Sequence, residues 1–200
     1  MDSRNGRLAL VKAVIFDGSK DGDLVANKID AELKEQLLKV GWEVEILELR
    51  KLKIAECTSC FGCWIKTPGI CAIGDDGRET TRKYVQSDLA IWKSPVTFGG
   101  YSYELKKALD RIIPSIMPYF EPYRGQIHHG ARYKKYPKLL VIGVQEAGLK
   151  NEETFLALAQ RNALNFRPPA TASGVFNRDQ NQELIPAFIA EKLGMLGVIS

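Results

Sequence analysis

The feature that most limits what this chain can fold into is a rhythm: a short, almost unbroken apolar run, a turn, then an amphipathic helix, repeated along the sequence. Residues 8–16 are apolar except for Lys12 and stop at Asp17 and Gly18. A strand buried on both faces of a parallel sheet reads this way before a turn. Over residues 24–40, Ala26, Ile29, Leu33, Leu37 and Val40 recur at spacings of three and four, with Lys and Glu elsewhere and Gly41 following. That pattern predicts an amphipathic helix closed by a glycine.

The unit then repeats. Residues 44–49 alternate as an edge strand does, 78–86 read as a short helix, and 89–92 as a third strand running into Ser94 and Pro95. Leu105, Leu109, Ile112 and Ile116 give a helix over 101–116; strands follow over 139–144 and 170–176, helices over 152–165 and 181–196. Parallel neighbours need crossover connections, so the expected architecture is α/β: a doubly wound, flavodoxin-like parallel sheet of five strands in order 2-1-3-4-5 with helices on both faces. One domain over 1–200 is expected, with a cysteine-rich loop at 55–76 and a long excursion at 118–138, read as an ordered surface loop.

The 28 Lys and Arg against 24 Asp and Glu give a net charge of +4, too small for a dedicated nucleic-acid binder and suited to a phosphate-bearing small molecule. The first apolar run is too short to span a membrane. All four cysteines lie between positions 57 and 71, a cluster rather than a stapling framework, which predicts a reducing, cytoplasmic setting. In such a sheet ligands sit beyond the carboxyl ends of the strands, at the switch between strands one and three. Function is therefore expected after Phe16, after Trp92 and, by adjacency, after Leu49.

Those loops carry a family resemblance. The stretches CTSCFGCWIKTPGICAIGDD (57–76), SPVTFGGYSYELKKALDR (94–111) and residues 18–23 together resemble the flavodoxin-like NADPH-dependent FMN reductase family and, within it, the iron-sulfur flavoproteins. The resemblance spans residues 10–113. It implies an FMN whose isoalloxazine lies against Pro95, Val96, Thr97, Phe98 and Gly99, Phe98 covering a ring face and the N–H groups near Gly99 bonding the flavin. It further implies a [4Fe-4S] cluster on Cys57, Cys60, Cys63 and Cys71, NAD(P)H as a possible donor, and a homodimer or homotetramer.

Read physically, the spacing is C-x2-C-x2-C-x7-C. Three thiolates so spaced can wrap one face of an iron-sulfur cube and the fourth can close it. A structural zinc, a redox-active pair, or plain small packing residues remain open on spacing alone. Trp64 and Ile65 are expected to pack the loop.

For the flavin phosphate, the turn after strand one offers helix N-terminal N–H groups. Ser19 can add a hydroxyl, Lys20 a charge, and Gly18 and Gly22 the turn itself. This turn is shorter than the family's Gly-Ser-Pro-Arg pattern and lacks its Arg; Asp21 and Asp23 stand near the anion, and Asp23 can instead cap the helix. His128 and His129 are expected as solvated loop residues on opposite sides of an extended segment. Arg124, Arg132, Lys134 and Lys135 are expected at a subunit contact that helps roof the flavin.

The function expected is an FMN-dependent oxidoreductase, of NAD(P)H-dependent flavin or quinone reductase type or passing electrons through a cluster. No acid-base residue is needed, because hydride transfer is the cofactor's own chemistry. The rival expectation is a non-enzymatic module that has lost FMN, its cysteines structural or free. Neither nucleic acid nor membrane is expected as a partner.

Overall fold

In the computed structural model, which describes residues 11–199, the elements run β1 (Lys12–Asp17), α1 (Leu24–Lys39), β2 (Glu43–Glu48), α2 (Gly62–Ile65), α3 (Asp76–Gln86), β3 (Leu89–Pro95) and α4 (Tyr103–Asp110). They continue with β4 (Ile116–Tyr123), β5 (Gln126–Ala131), β6 (Lys138–Gln145), α5 (Glu152–Phe166), β7 (Thr171–Asn177) and α6 (Ile185–Met195). Five of the strands form one parallel sheet, ordered β2-β1-β3-β6-β7. Counted along the sheet strands this is the expected 2-1-3-4-5 order. Residues 8–10 of the first expected strand lie outside the described residues.

The two-residue period of the central strands splits the core in two. Ala13, Ile15, Leu89, Ile91, Leu140 and Ile142 face α1 and α6, meeting Ile29, Leu33, Leu37, Ile189 and Leu193. Val14, Phe16, Ala90, Trp92, Leu139 and Val141 face α3, α4 and α5, meeting Tyr84, Leu105, Leu109 and Phe155. Each fully buried Leu, Ile or Phe contributes about 1.5–3 kcal/mol. β2 is an edge strand, and three of its six residues are glutamates.

Residues 118–131 are not the loop expected over 118–138; only 132–137 are. β4 and β5 pair antiparallel, with Phe120 opposite His129 and Tyr123 opposite Gln126. The turn between them is Arg124-Gly125, with φ of +48° and +75°, the left-handed pair that a two-residue hairpin requires. Pro118 and Pro122 hid the strand pattern, since proline withholds a ladder donor; a two-stranded ribbon, all edge, tolerates it. The helix expected over 101–116 stops at Asp110, and Pro114 confines the rest to a 3-10 turn. α6 likewise starts at Ile185, with a proline in its first turn, after a separate 3-10 turn. No helix among the described residues is long and apolar enough to cross a membrane.

Candidate functional site

The carboxyl ends of β1 and β3 lie side by side, Asp17 in register with Lys93, and the chain leaves β1 into residues 18–23. Gly18 N–H donates to the Lys93 carbonyl at 2.8 Å, extending the ladder one step past the strand. Ser19 N–H donates to Asp17 Oδ1 at 2.9 Å. The Ser19 hydroxyl is buried and has no hydrogen-bond partner among the described residues, an orphan that a phosphate oxygen would satisfy. Gly22, at φ +72°, makes the turn into α1.

Asp23 caps α1, accepting from Ala26 N–H at 3.1 Å. It does not stand there as a bare charge. Arg178, just past β7, grips both its carboxylate oxygens. Burial pushes the Asp23 carboxyl up, and the Arg178 guanidinium with the Ala26 N–H outweighs it, leaving the group more acidic than usual. Asp21, on the outside, pairs with Arg50 at 3.4 Å. The Arg missing from the turn is thus matched by two that arrive from other strands, and the expected crowding by two carboxylates is offset. Lys20 points into solvent.

After β3, residues 95–99 form a second tight turn. Thr97 and Gly100 exchange backbone hydrogen bonds of 3.0 and 2.8 Å, with Phe98 and Gly99 at φ +50° and +77° between them. A side chain in this conformation costs about 1–2 kcal/mol, yet Phe98 is 98% exposed and buries nothing here. Strain without packing is a mark of functional positions. A Cβ on Gly99 would come within 2.7 Å of Thr154. Val96 is buried and Pro95 half-buried beneath the turn.

The two turns are joined. Ser102, which caps α4, donates its hydroxyl to the Gly18 carbonyl at 2.7 Å and accepts Leu105 N–H. A Cβ on Gly18 would lie 2.6 Å from Ser102 Oγ and 2.8 Å from Leu105 Cβ, so only glycine lets α4 approach this closely. Tyr103, the next residue, hydrogen-bonds Glu56, immediately before the first cysteine.

The cysteine loop is closed at its base. Arg111, fully buried, donates to the Ala55 carbonyl at 2.7 Å and clasps Asp75 through both nitrogens at 2.6 and 2.8 Å. Asp75 also accepts Ala55 N–H and caps α3 through Gly77 N–H. Burial pushes the Asp75 carboxyl up, but the guanidinium and these N–H groups hold it at about 2. Above this base, Cys57, Cys60, Cys63 and Cys71 line one small cavity with Ile73 and Ile113, all as free thiols.

The backbone winds through left-handed Ser59 and Phe61. Gly62 N–H and the Thr58 hydroxyl hold the Cys60 thiol below the usual range, while burial and then the neighbouring Cys71 and Cys57 push Cys63 up. Among the described residues no group of three or more His, Cys, Asp or Glu is placed to hold a single metal ion. An iron-sulfur cube takes its thiolates at separate corners rather than on one ion, and the four thiols border a common apolar cavity.

Trp64 packs as expected: its indole N–H donates to the Ile116 carbonyl at 3.0 Å, and its ring stacks on Phe61 and against His129. Ile65 does not, being 77% exposed. The histidines do point to opposite sides, but both are half-buried: His128 bonds Asn165 on α5, and His129 bonds the Met117 carbonyl beside Phe120. Among the four cations, Lys135 pairs with Asp88, Arg124 lies over Tyr123, and Arg132 donates to the Ile116 carbonyl.

The profile of NADPH-dependent FMN reductases matches residues 11–134, more than half of the chain. The chain belongs to this family. An iron-sulfur flavoprotein of Archaeoglobus fulgidus is 38% identical over 106 residues, covering 52% of this chain and 46% of that protein. Another, from Methanocaldococcus jannaschii, is 32% identical over 104 residues, covering 52% and 53%. The matches thus span about half the length of these relatives. Among solved structures, an NAD(P)H:quinone oxidoreductase from Methanothermobacter marburgensis shares the fold with a TM-score of 0.69 at 13% identity, covering 96% of this chain and 99% of its own. An FMN-dependent NADH-azoreductase from Bacillus anthracis, solved with FMN, gives 0.64 at 11%, covering 94% and 98%.

Within the family's frame, sequence reading missed Arg50, Arg178, Ser102, Lys93 and Asp17. Arg178 lies 155 positions from Asp23, and no local pattern links them. Lys93 did carry a signal: it occupies the inward phase set by Leu89 and Ile91, where a charge must be buried and therefore paired.

Proposed function

We propose that this chain acts as one domain, an FMN-dependent oxidoreductase of the NAD(P)H:acceptor type. Residues 18–24, with Ser19 foremost, receive the flavin phosphate; Pro95, Val96, Thr97, Phe98 and Gly99 receive the ring. Bound FMN supplies hydride and electron chemistry. Cys57, Cys60, Cys63 and Cys71 hold a [4Fe-4S] cluster, which supplies single-electron steps. Phe98 excludes water from one ring face, the N–H groups near Gly99 tune the flavin, and Arg178 and Arg50 offset the carboxylates beside the phosphate.

One observation carries this reading. Two consecutive residues at the start of α4 hold both halves of the site, Ser102 through Gly18 and Tyr103 through Glu56. The phosphate turn, the ring turn and the cysteine loop therefore meet at one sheet edge, as electron transfer between flavin and cluster requires. The assembly proposed is a cytoplasmic homodimer or homotetramer, supported by Tyr119, Phe120 and Ile127, which stand exposed on the hairpin.

The rival, a module without flavin, is favoured by Asp23, whose capping bond to Ala26 N–H already satisfies α1. Anaerobic titration of FMN into apoprotein, with iron and sulfide analysis of anaerobically purified protein, separates the two. Saturable flavin binding, and a Cys60→Ala variant that loses iron yet keeps flavin, are expected. No saturation at generous FMN excess would sink the proposal.

A further inference from the structure

Lys93 has no part in the chemistry above, yet it is the most unusual residue near the site. Its side chain is fully buried, on the sheet face that Leu89 and Ile91 fill with hydrocarbon. A buried ammonium is costly unless each of its three donors finds an acceptor. Three oxygens surround this one: it donates to the Ala26 carbonyl at 3.0 Å and forms ion pairs with Asp17 Oδ1 at 3.1 Å and Asp30 Oδ2 at 2.6 Å. Its own carbonyl receives Gly18 N–H.

These partners are the parts that shape the turn. Asp17 Oδ1 is shared between the ammonium and Ser19 N–H; Ala26 lies in the first turn of α1, and Asp30 one turn further along. One residue of β3 thus sets Gly18, Ser19 and the start of the helix relative to one another. Donors fixed in advance cost no ordering when an anion arrives. The ammonium also balances charge beneath the turn, where Asp17 and Asp30 face Lys93 and Arg50. Without it a surplus carboxylate would lie under the incoming phosphate and repel it.

We propose that Lys93 is the positioning residue that gives this site its preference for a phosphorylated flavin over a phosphate-free one. The inference rests on reading residues 18–24 as the phosphate turn. The ring turn makes no contact with the ammonium, so the ring and ribityl chain should be indifferent to it.

The test is a comparison of FMN and riboflavin affinity, by anaerobic fluorescence titration, in the wild type, in Lys93→Met, and in Lys93→Met combined with Asp30→Asn. The double variant removes one charge of each sign, and so keeps the proposal testable should the single variant fail to fold. Expected is an FMN affinity lower by about tenfold or more, with riboflavin affinity unchanged. If both ligands weaken equally, Lys93 is merely structural and the proposal fails. If the wild-type preference for FMN persists in a folded variant, the role of Lys93 is overturned while the phosphate turn stands. If the wild type itself does not prefer FMN, the phosphate turn falls and the proposal with it.

Discussion

The turn after β1, proposed to receive the flavin phosphate, and the cysteine loop lie at the same end of the sheet and are held differently. The turn is short and braced along its length: Gly18 and Ser19 are bonded to β3 and β1, Asp23 to α1 and Arg178, with Lys93 and Arg50 beneath. The cysteine loop spans some twenty residues and is pinned at separate points: at its base, where Arg111 joins Ala55 to Asp75, at Trp64 on the Ile116 carbonyl, and at Cys71 and Ala72, whose carbonyls accept from Arg78. A site for an anion must have its donors fixed in advance. A loop whose thiols are to take up a cluster, as proposed above, needs only its anchor points fixed, with the thiols between them left to settle. On the proposed reading, the difference follows from what each would hold.

The sharpest way to break this contrast is Arg111→Met. It strands Asp75 in a partly buried site, and the loss expected is about 3–5 kcal/mol in urea denaturation, with new protease cleavage between Glu56 and Asp75. An unchanged midpoint would mean that the loop does not depend on its base. Gly18→Ala attacks the other region, driving a methyl against Ser102 and Leu105. Overpacking there should cost about 1–3 kcal/mol and weaken FMN binding; normal binding would show that the turn yields.

Asp30 sharpens the comparison through pH. Burial raises its carboxyl to about 6, against the opposing pull of Lys93, with Asp17 adding to the rise and Arg50 reducing it. Its folded value lies above the ordinary 3.8, so its contribution to stability is complete at acid pH and is lost as pH climbs through about 6. Asp30→Asn should abolish that loss. Relative to wild type, the variant's urea midpoint should therefore improve between pH 4 and pH 7, and a constant difference would show Asp30 ionising normally. The smallest effect is expected from Phe98→Ala. Its ring buries nothing, so stability should change by less than about 0.5 kcal/mol while flavin affinity falls; equal affinity would remove Phe98 from the ring site.

The sheet order and nearly every helix could be read from local periodicity, because strands such as β3 and helices such as α1 carry their burial in their own spacing. The hairpin could not: Pro118 and Pro122 break a two-residue period within β4, and its Arg124-Gly125 turn is a weak signal by itself. At the site, the turn glycines, Ser19 and the four thiols were legible from their place after strands. Their supports were not, since Arg178 with Asp23 and Lys93 with Asp17 are contacts of the finished fold. Asp23 shows the consequence: in sequence it is a carboxylate that repels phosphate, and in three dimensions it is half of an ion pair.

The outer strand β2 carries one more consequence. Glu43 and Glu45 stand exposed along a ladder whose far side has no neighbour among the described residues, paired with Lys12 and Lys83 of the neighbouring elements. Two copies meeting along this rim would press glutamates together, a repulsion that discourages the runaway strand pairing behind aggregation. The sheet is thereby kept from growing, and the protein should stay dispersed when concentrated at neutral pH.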